Sequence, residues 1–274
     1  MNFSVLISVY IKENPIFFKQ ALDSIHCQSL LPDEIVLIKD GPLTFDLEKV
    51  IDDFVLKFTN KVKIISLPEN KGLGNALSIG VLECSNDLIA RMDTDDICAF
   101  DRFEKQIDFL IKNPNVDLLG TNIEEFNIFP GDLNRLRVLP KNGRELIKFS
   151  KYRNPINHPT IMFRKEKVIA VGNYQSDILL FEDYSLFIRM IRNNAKLYNI
   201  QESLLYFRVG TGIETIRRRS GLHYLKKEWK FSLFSLKIGH INIFEWLFYI
   251  LTKLPFRMLP SSIVLFVYNK FLRN

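Results

Sequence analysis

Through its first 120 residues the chain alternates short β-branched runs with stretches of helical period, and this alternation constrains the fold more than any other feature. A strand whose following helix crosses back to the next strand gives a mainly parallel sheet with helices on its faces, an α/β domain. Strands are expected at Phe3 to Val9, Glu34 to Lys39, Val62 to Leu67, Asp87 to Met92 and Val116 to Leu119. The first helix carries its start signals, with Asn14 as N-cap and Pro15 at the first helical position. Phe18, Ala21, Leu22 and Ile25 then follow at helical spacing. Another helix opens at Asp101 with Glu104 three residues on, an acidic variant of the capping box. It buries Phe103, Ile107, Leu110 and Ile111 and stops at Asn113-Pro114. From about 121 to 160 the periodicity loosens around Pro130-Gly131 and Pro140, as expected of loops reaching over a site. A strand at Thr160 to Phe163, a helix from about 182 to 193 and a strand near Lys196 to Phe207 complete this part.

From Arg217 the sequence changes character. Leu222, Leu225, Trp229, Leu233 and Leu236 recur near helical spacing among Lys226, Lys227, Lys230 and Lys237, which predicts an amphipathic helix. Two further apolar blocks follow, Ile241 to Thr252 and Leu259 to Tyr268, each too short to span a bilayer. The net charge of +6 is concentrated here: residues 217–274 hold eleven Lys/Arg and two Asp/Glu, leaving 26 against 29 in residues 1–216. Basic residues mixed with Phe, Leu, Ile and Trp suit an anionic membrane surface better than nucleic acid. The expected organisation is an α/β domain over 1–215, with halves at 1–120 and 121–215, and a membrane-associating helical tail over 216–274. The run Phe3 to Ile11 has no basic residue before it, unlike a signal peptide, and nowhere do about 18 uncharged apolar residues follow one another. A cytoplasmic location, peripheral on the inner face of the membrane, is therefore expected. Cys27, Cys84 and Cys98 form no C-x-x-C pair and are read as reduced thiols.

The chemistry centres on Asp93-Thr94-Asp95-Asp96, directly after the apolar strand. In an open parallel sheet this is the carboxyl edge, where such folds bind ligands. In extended backbone Asp93 and Asp95 project to the same side and suit one hard divalent cation, Mn²⁺ or Mg²⁺. The alternative is a polar turn in which Asp96 or Asp101 caps the next helix. Asp40-Gly41, ending the second strand, reads either as a turn or as an acceptor for a nucleotide base N–H. Asn70-Lys71-Gly72-Leu73-Gly74 has Leu77 where a dinucleotide fingerprint needs its third glycine, and it is no phosphate loop. Glu182-Asp183 opens a helix, so its carboxylates either meet the helix dipole, which would depress their pKa values, or supply a general base.

Together these stretches resemble the family 2 glycosyltransferases, in particular the bacterial enzymes that build O-antigen and exopolysaccharide repeat units. The likeness covers about residues 3 to 210. Its landmarks are Ser8-Val9-Tyr10, Glu13-Asn14-Pro15, Asp33-Glu34-Ile35-Val36 leading to Asp40-Gly41, Asn70-Lys71-Gly72-Leu73, Arg91-Met92-Asp93-Thr94-Asp95-Asp96, Asn154-Pro155-Ile156-Asn157-His158 and Glu182-Asp183-Tyr184. The resemblance implies a GT-A fold and an inverting hexosyl transfer from a UDP-sugar to a sugar on a polyprenyl diphosphate. Galactose or glucose joined β1,3 is the implied product linkage. It implies that Ser8, Tyr10, Asp40, Lys71 and Arg91 contact the nucleotide-sugar, and that Asp93 contacts ribose or metal; Arg91, on a buried strand, has the alternative of pairing with a local carboxylate. Asp95 would hold the metal, Asp183 with Glu182 would supply the base, and His158 would either lie on the acceptor side or be a packed, hydrogen-bonded histidine. Lys39 departs from the pattern, standing where many relatives have another aspartate. Arg217, Arg218 and Arg219 would bind the phosphates of UDP or of the acceptor, or else lipid headgroups. Two rival readings remain at this point, a nucleic-acid-binding protein using the basic tail and a metal-dependent nucleotidyltransferase.

Overall fold

The structure is a computed structural model that describes residues 1–58, 61–210 and 221–258. Nine strands and nine α-helices are named here in chain order. They begin β1 (Phe3–Val9), α1 (Pro15–His26), β2 (Glu34–Lys39), α2 (Phe45–Lys57), β3 (Val62–Ser66), α3 (Leu73–Glu83), β4 (Leu88–Met92), β5 (Ile97–Cys98) and α4 (Arg102–Lys112). They continue β6 (Leu118–Phe126), β7 (Arg135–Arg137), α5 (Gly143–Phe149), β8 (Met162–Arg164), α6 (Lys165–Ala170), α7 (Glu182–Arg192), β9 (Leu197–Arg208), α8 (Gly221–Lys237) and α9 (Ile243–Met258).

One sheet runs in the order β3-β2-β1-β4-β8-β6-β9-β5, with β7 paired to β6. β1, β2, β3 and β4 are mutually parallel. β8 runs antiparallel to both β4 and β6, so β6 points the same way as β4, and β9 is parallel to β6. Six long strands therefore share one direction, and only the short β5, β7 and β8 oppose them. Their carboxyl ends line a single edge.

The sheet is buried on both faces, which is why its strands read as continuous apolar runs. Val5 and Ile7 of β1 face a core formed with Phe18 and Leu22 of α1, Ile51 of α2 and Phe103 of α4. Leu6 faces the other, formed with Leu77 of α3, Val168 of α6 and Phe187 of α7. A third cluster joins Phe181, Tyr184 and Ile188 to Tyr224 and Phe231 of α8.

Local signals explain the helix starts, with two corrections. Asn14 Oδ1 accepts from the N–H groups of Ile16 and Phe17 at 2.9 and 3.3 Å, as its N-cap position requires. The acidic capping box on α4 does not form. Asp101 instead pairs with Lys105 at 2.8 Å, and Glu104 accepts from the Ser29 hydroxyl at 2.6 Å. The buried face of α4 is Arg102, Phe103, Gln106, Ile107 and Leu110, leaving Ile111 exposed. Along α8, Tyr224, Glu228, Phe231, Ser232 and Ser235 turn inward, while Trp229 and Leu233 are exposed.

β6 runs past its expected end at Leu119 to Phe126, because its polar residues have partners inside the sheet. Thr121 N–H donates to Thr160 Oγ1, its carbonyl accepts from Asn157, and Asn122 Oδ1 accepts from Leu139 N–H. Among the described residues no helix is long and apolar enough to cross a membrane. Arg217, Arg218, Arg219 and the block Leu259 to Tyr268 lie outside the described residues.

Candidate active site

The site forms along the shared carboxyl edge. β4 is buried throughout and ends in the turn Asp93 to Asp96, where chain direction changes before β5. One ligand oxygen from each of Asp93, Asp95 and Asp96 lies within 4.8 Å of the others. A bend at Thr94-Asp95, in place of the extended backbone expected, brings the three carboxylates together. Asp96, which the polar-turn alternative offered beside Asp101 as a helix cap, turns fully inward. Its Oδ1 accepts from Arg208 N–H at 2.9 Å, and its Oδ2 is buried without a hydrogen-bond partner.

Three carboxylates this close resist ionisation together. Burial, then the charge of Asp93, pushes Asp95 up to about 6, and burial followed by Asp95 and Asp93 raises Asp96 well above the carboxylate range. A hard divalent cation would relieve both costs, and the orphaned Asp96 oxygen offers it a further donor, so the residues fit Mn²⁺ or Mg²⁺.

Two arginines brace this turn. Arg91 is 2% exposed; its Nη2 donates to Asp93 Oδ1, while Nε and Nη1 have no hydrogen-bond partner. It aims Asp93 from beneath the site. Arg208, at the end of β9, donates through Nε to Asp95 O and through Nη2 to Gln20 Oε1, at 2.9 and 2.7 Å. Its guanidinium lies between the Phe17 and Phe126 rings, 4.0 and 4.3 Å from their centroids. The sequence reading missed Arg208; its one signal was a cation closing a long, largely apolar strand.

Asp40 and the glycine-rich stretch explain each other. Asp40 Oδ1 and Oδ2 accept from the N–H groups of Lys71 and Gly72 at 2.8 and 3.0 Å. Gly41 has φ +88°, and a Cβ there would come within 2.7 Å of Asn70 N, so only glycine lets the two loops approach. Lys71 Nζ lies 3.4 Å from Glu69, and Lys39 pairs with Glu48 at 2.5 Å. Ser8, on β1, and Tyr10, just past its end, are half-buried at the same edge.

Asp183 and Glu182 diverge. Asp183 Oδ2 accepts from Asn154 Nδ2 at 2.6 Å and Oδ1 from Tyr184 N–H at 2.7 Å. Glu182 leans on the start of α3, where a Cβ on Gly74 would fall 2.9 Å from its Cγ. Burial raises the Glu182 pKa, the reverse of what a helix dipole alone would do. His158 is buried with Nε2 2.8 Å from the Tyr174 hydroxyl and its ring against Phe187. Burial, then the Arg91 charge, lowers its pKa well below the usual value and keeps it neutral. Burial chiefly raises the pKa of the Tyr174 phenol, whose hydroxyl meets His158. Tyr174 and Asn154 had no role assigned from sequence.

A parallel sheet with an acidic turn at the carboxyl edge and an acidic helix start facing the same edge defines the GT-A architecture. The chain belongs to glycosyl transferase family 2, whose family model matches residues 4–172. It is therefore a glycosyltransferase. It is 37% identical over 273 residues to an Escherichia coli UDP-Gal:alpha-D-GlcNAc-diphosphoundecaprenol beta-1,3-galactosyltransferase, covering 100% of this chain and 97% of that one. It is 36% identical over 270 residues to the amylovoran biosynthesis glycosyltransferase AmsE of Erwinia amylovora, covering 98% of each. The S. aureus TarS 1-349 structure in complex with UDP-GlcNAc superposes with a TM-score of 0.64 at 16% identity, covering 86% of this chain and 67% of that one, a likeness of fold.

Proposed function

We propose that this chain is an inverting galactosyltransferase of surface-polysaccharide synthesis. It moves galactose from UDP-galactose, in β1,3 linkage, to a sugar carried on polyprenyl diphosphate. The observation that carries this reading is 37% identity to the E. coli galactosyltransferase over nearly the full length of both chains. Glucose is the nearest competing donor sugar.

In this mechanism Ser8, Tyr10, Asp40 and Lys71 form the rim that receives the nucleotide. Asp93 and Asp95, with Asp96 behind them, would hold Mn²⁺ or Mg²⁺. A cation there supplies positive charge against the leaving nucleoside diphosphate. Arg91 keeps Asp93 aimed, and Arg208 keeps the turn folded. Asp183 accepts the proton of the acceptor hydroxyl as that oxygen attacks the anomeric carbon from the face opposite the leaving group, giving inversion. Glu182 shapes the same helix start, and neutral His158 holds the Tyr174 hydroxyl.

The enzyme works on the inner face of the membrane, docked without crossing it. Supporting this, α8 and α9 expose Trp229, Leu233, Phe244, Leu247, Phe248 and Leu251 beside exposed Lys226, Lys230 and Lys237.

Turnover with UDP-galactose, UDP-glucose and UDP-N-acetylglucosamine on a synthetic N-acetylglucosamine-diphospholipid tests the reading. UDP-galactose is expected to give the highest kcat/KM and a β1,3 product; preference for another donor would contradict it.

A further inference from the structure

Asp183 is held by a segment that the chemistry does not otherwise use. Asn154, whose Nδ2 donates to the Asp183 carboxylate at 2.6 Å, closes the 150–154 turn after α5. Three other residues of that turn are gripped by the α8–α9 pair. Ser150 gives its hydroxyl hydrogen to Ile147 O, so its Oγ and its carbonyl both accept from His240 Nε2, at 3.0 and 3.1 Å. Lys151 Nζ pairs with Glu245 Oε1 at 2.5 Å. Tyr152 meets Phe248 edge-on at 5.6 Å, and its carbonyl accepts from Lys253.

The same helix pair also reaches α7 directly. The Tyr184 hydroxyl donates to Ser150 O at 2.8 Å, and its ring lies 4.5 Å from Phe231. Phe181 stacks on Phe231 at 4.7 Å with planes 12° apart. Glu245 is anchored in turn: its N–H donates to Asn242 Oδ1 and its Oε2 accepts from Asn242 N–H, a reciprocal cap on α9.

We propose that the α8–α9 pair is a positioning element for the general base, fixing the 150–154 turn so that Asn154 orients the Asp183 carboxylate. The inference rests on the reading of Asp183 as the base. Asn154 is a positioning residue, because it touches Asp183 rather than the reacting atoms. Its N–H both selects the carboxylate rotamer and stabilises the ionised form, and attack geometry is sensitive to small displacements.

Full-length enzyme, UDP-galactose and the synthetic diphospholipid acceptor give kcat, donor KM and the pH profile. Asn154→Ala is expected to lower kcat about tenfold with donor KM within about twofold. It also moves the acid limb of kcat to higher pH, because a carboxylate that loses a donor is protonated more readily. Lys151→Met and Glu245→Gln, the latter retaining the cap, are each expected to lower kcat about threefold, and the double variant to fall no further. Wild-type kcat with an unmoved limb in Asn154→Ala overturns the proposal, as do additive losses in the double variant. Asp183→Asn separates the two levels. Sustained transfer by that variant removes the base itself, whereas its inactivity beside an unaffected Asn154→Ala removes only the positioning role.

Discussion

Asp40 is 3% exposed and both its oxygens are occupied by backbone donors of the Lys71-Gly72 loop. Removing it strands two N–H groups, and losing a charge-assisted acceptor of this kind costs about 2 kcal/mol. Asp40→Ala is thus expected to lower the urea midpoint as well as to raise the donor KM. If Asp40 served only to contact the nucleotide base, the midpoint would stay where it is while KM rose. Arg91 follows the same logic: a buried cation one residue before Met92 orients Asp93 from below instead of reaching into the cleft. The Asp40 role was not legible in the sequence, because spacing along one strand does not reveal which loop folds back upon it, whereas pairing of Arg91 with a local carboxylate was one of its two readings there. The Asp93 to Asp96 turn was legible, since a strand ending in carboxylates needs no partner from elsewhere in the chain to be recognised.

At the scale of elements, strands and helix starts that depend on local signals lie where the sequence predicts them. β1 and β2 match residue for residue, and α1 begins at Pro15 behind its Asn14 cap. Elements set by distant partners were not readable. β6 overruns its expected end because Thr160, Asn157 and Leu139 satisfy its polar residues. The inward face of α8 is chosen by Phe181 and Tyr184 on α7, which take Phe231 and leave Trp229 and Leu233 outside. That outward face, continued by Phe244 and Leu251 at 77% and 73% exposure, suits a bilayer interface. Phe244→Ser/Leu247→Ser/Leu251→Ser is expected to abolish flotation with anionic liposomes while leaving the thermal midpoint nearly unchanged. Undiminished flotation would assign membrane contact to another surface. Deleting the helices is a poorer test, since it would strip Tyr224 and Phe231 from the α7 cluster.

Across the whole molecule, six long strands of one direction bring their carboxyl ends to a single edge, and the chemistry follows from that arrangement. The proposed nucleotide rim comes from β1 and β2, the acidic turn from β4 and its brace from β9. The proposed base comes from α7, supported by helices outside the sheet. The proposed cation-holding and base carboxylates are thereby on separate elements, so they can be removed one at a time. The most direct measurement compares Asp183→Asn with the wild type for UDP affinity, by calorimetry with Mn²⁺, and for transfer from UDP-galactose. The account predicts an unchanged affinity and a loss of transfer of about a thousandfold. Transfer at the wild-type rate would contradict it.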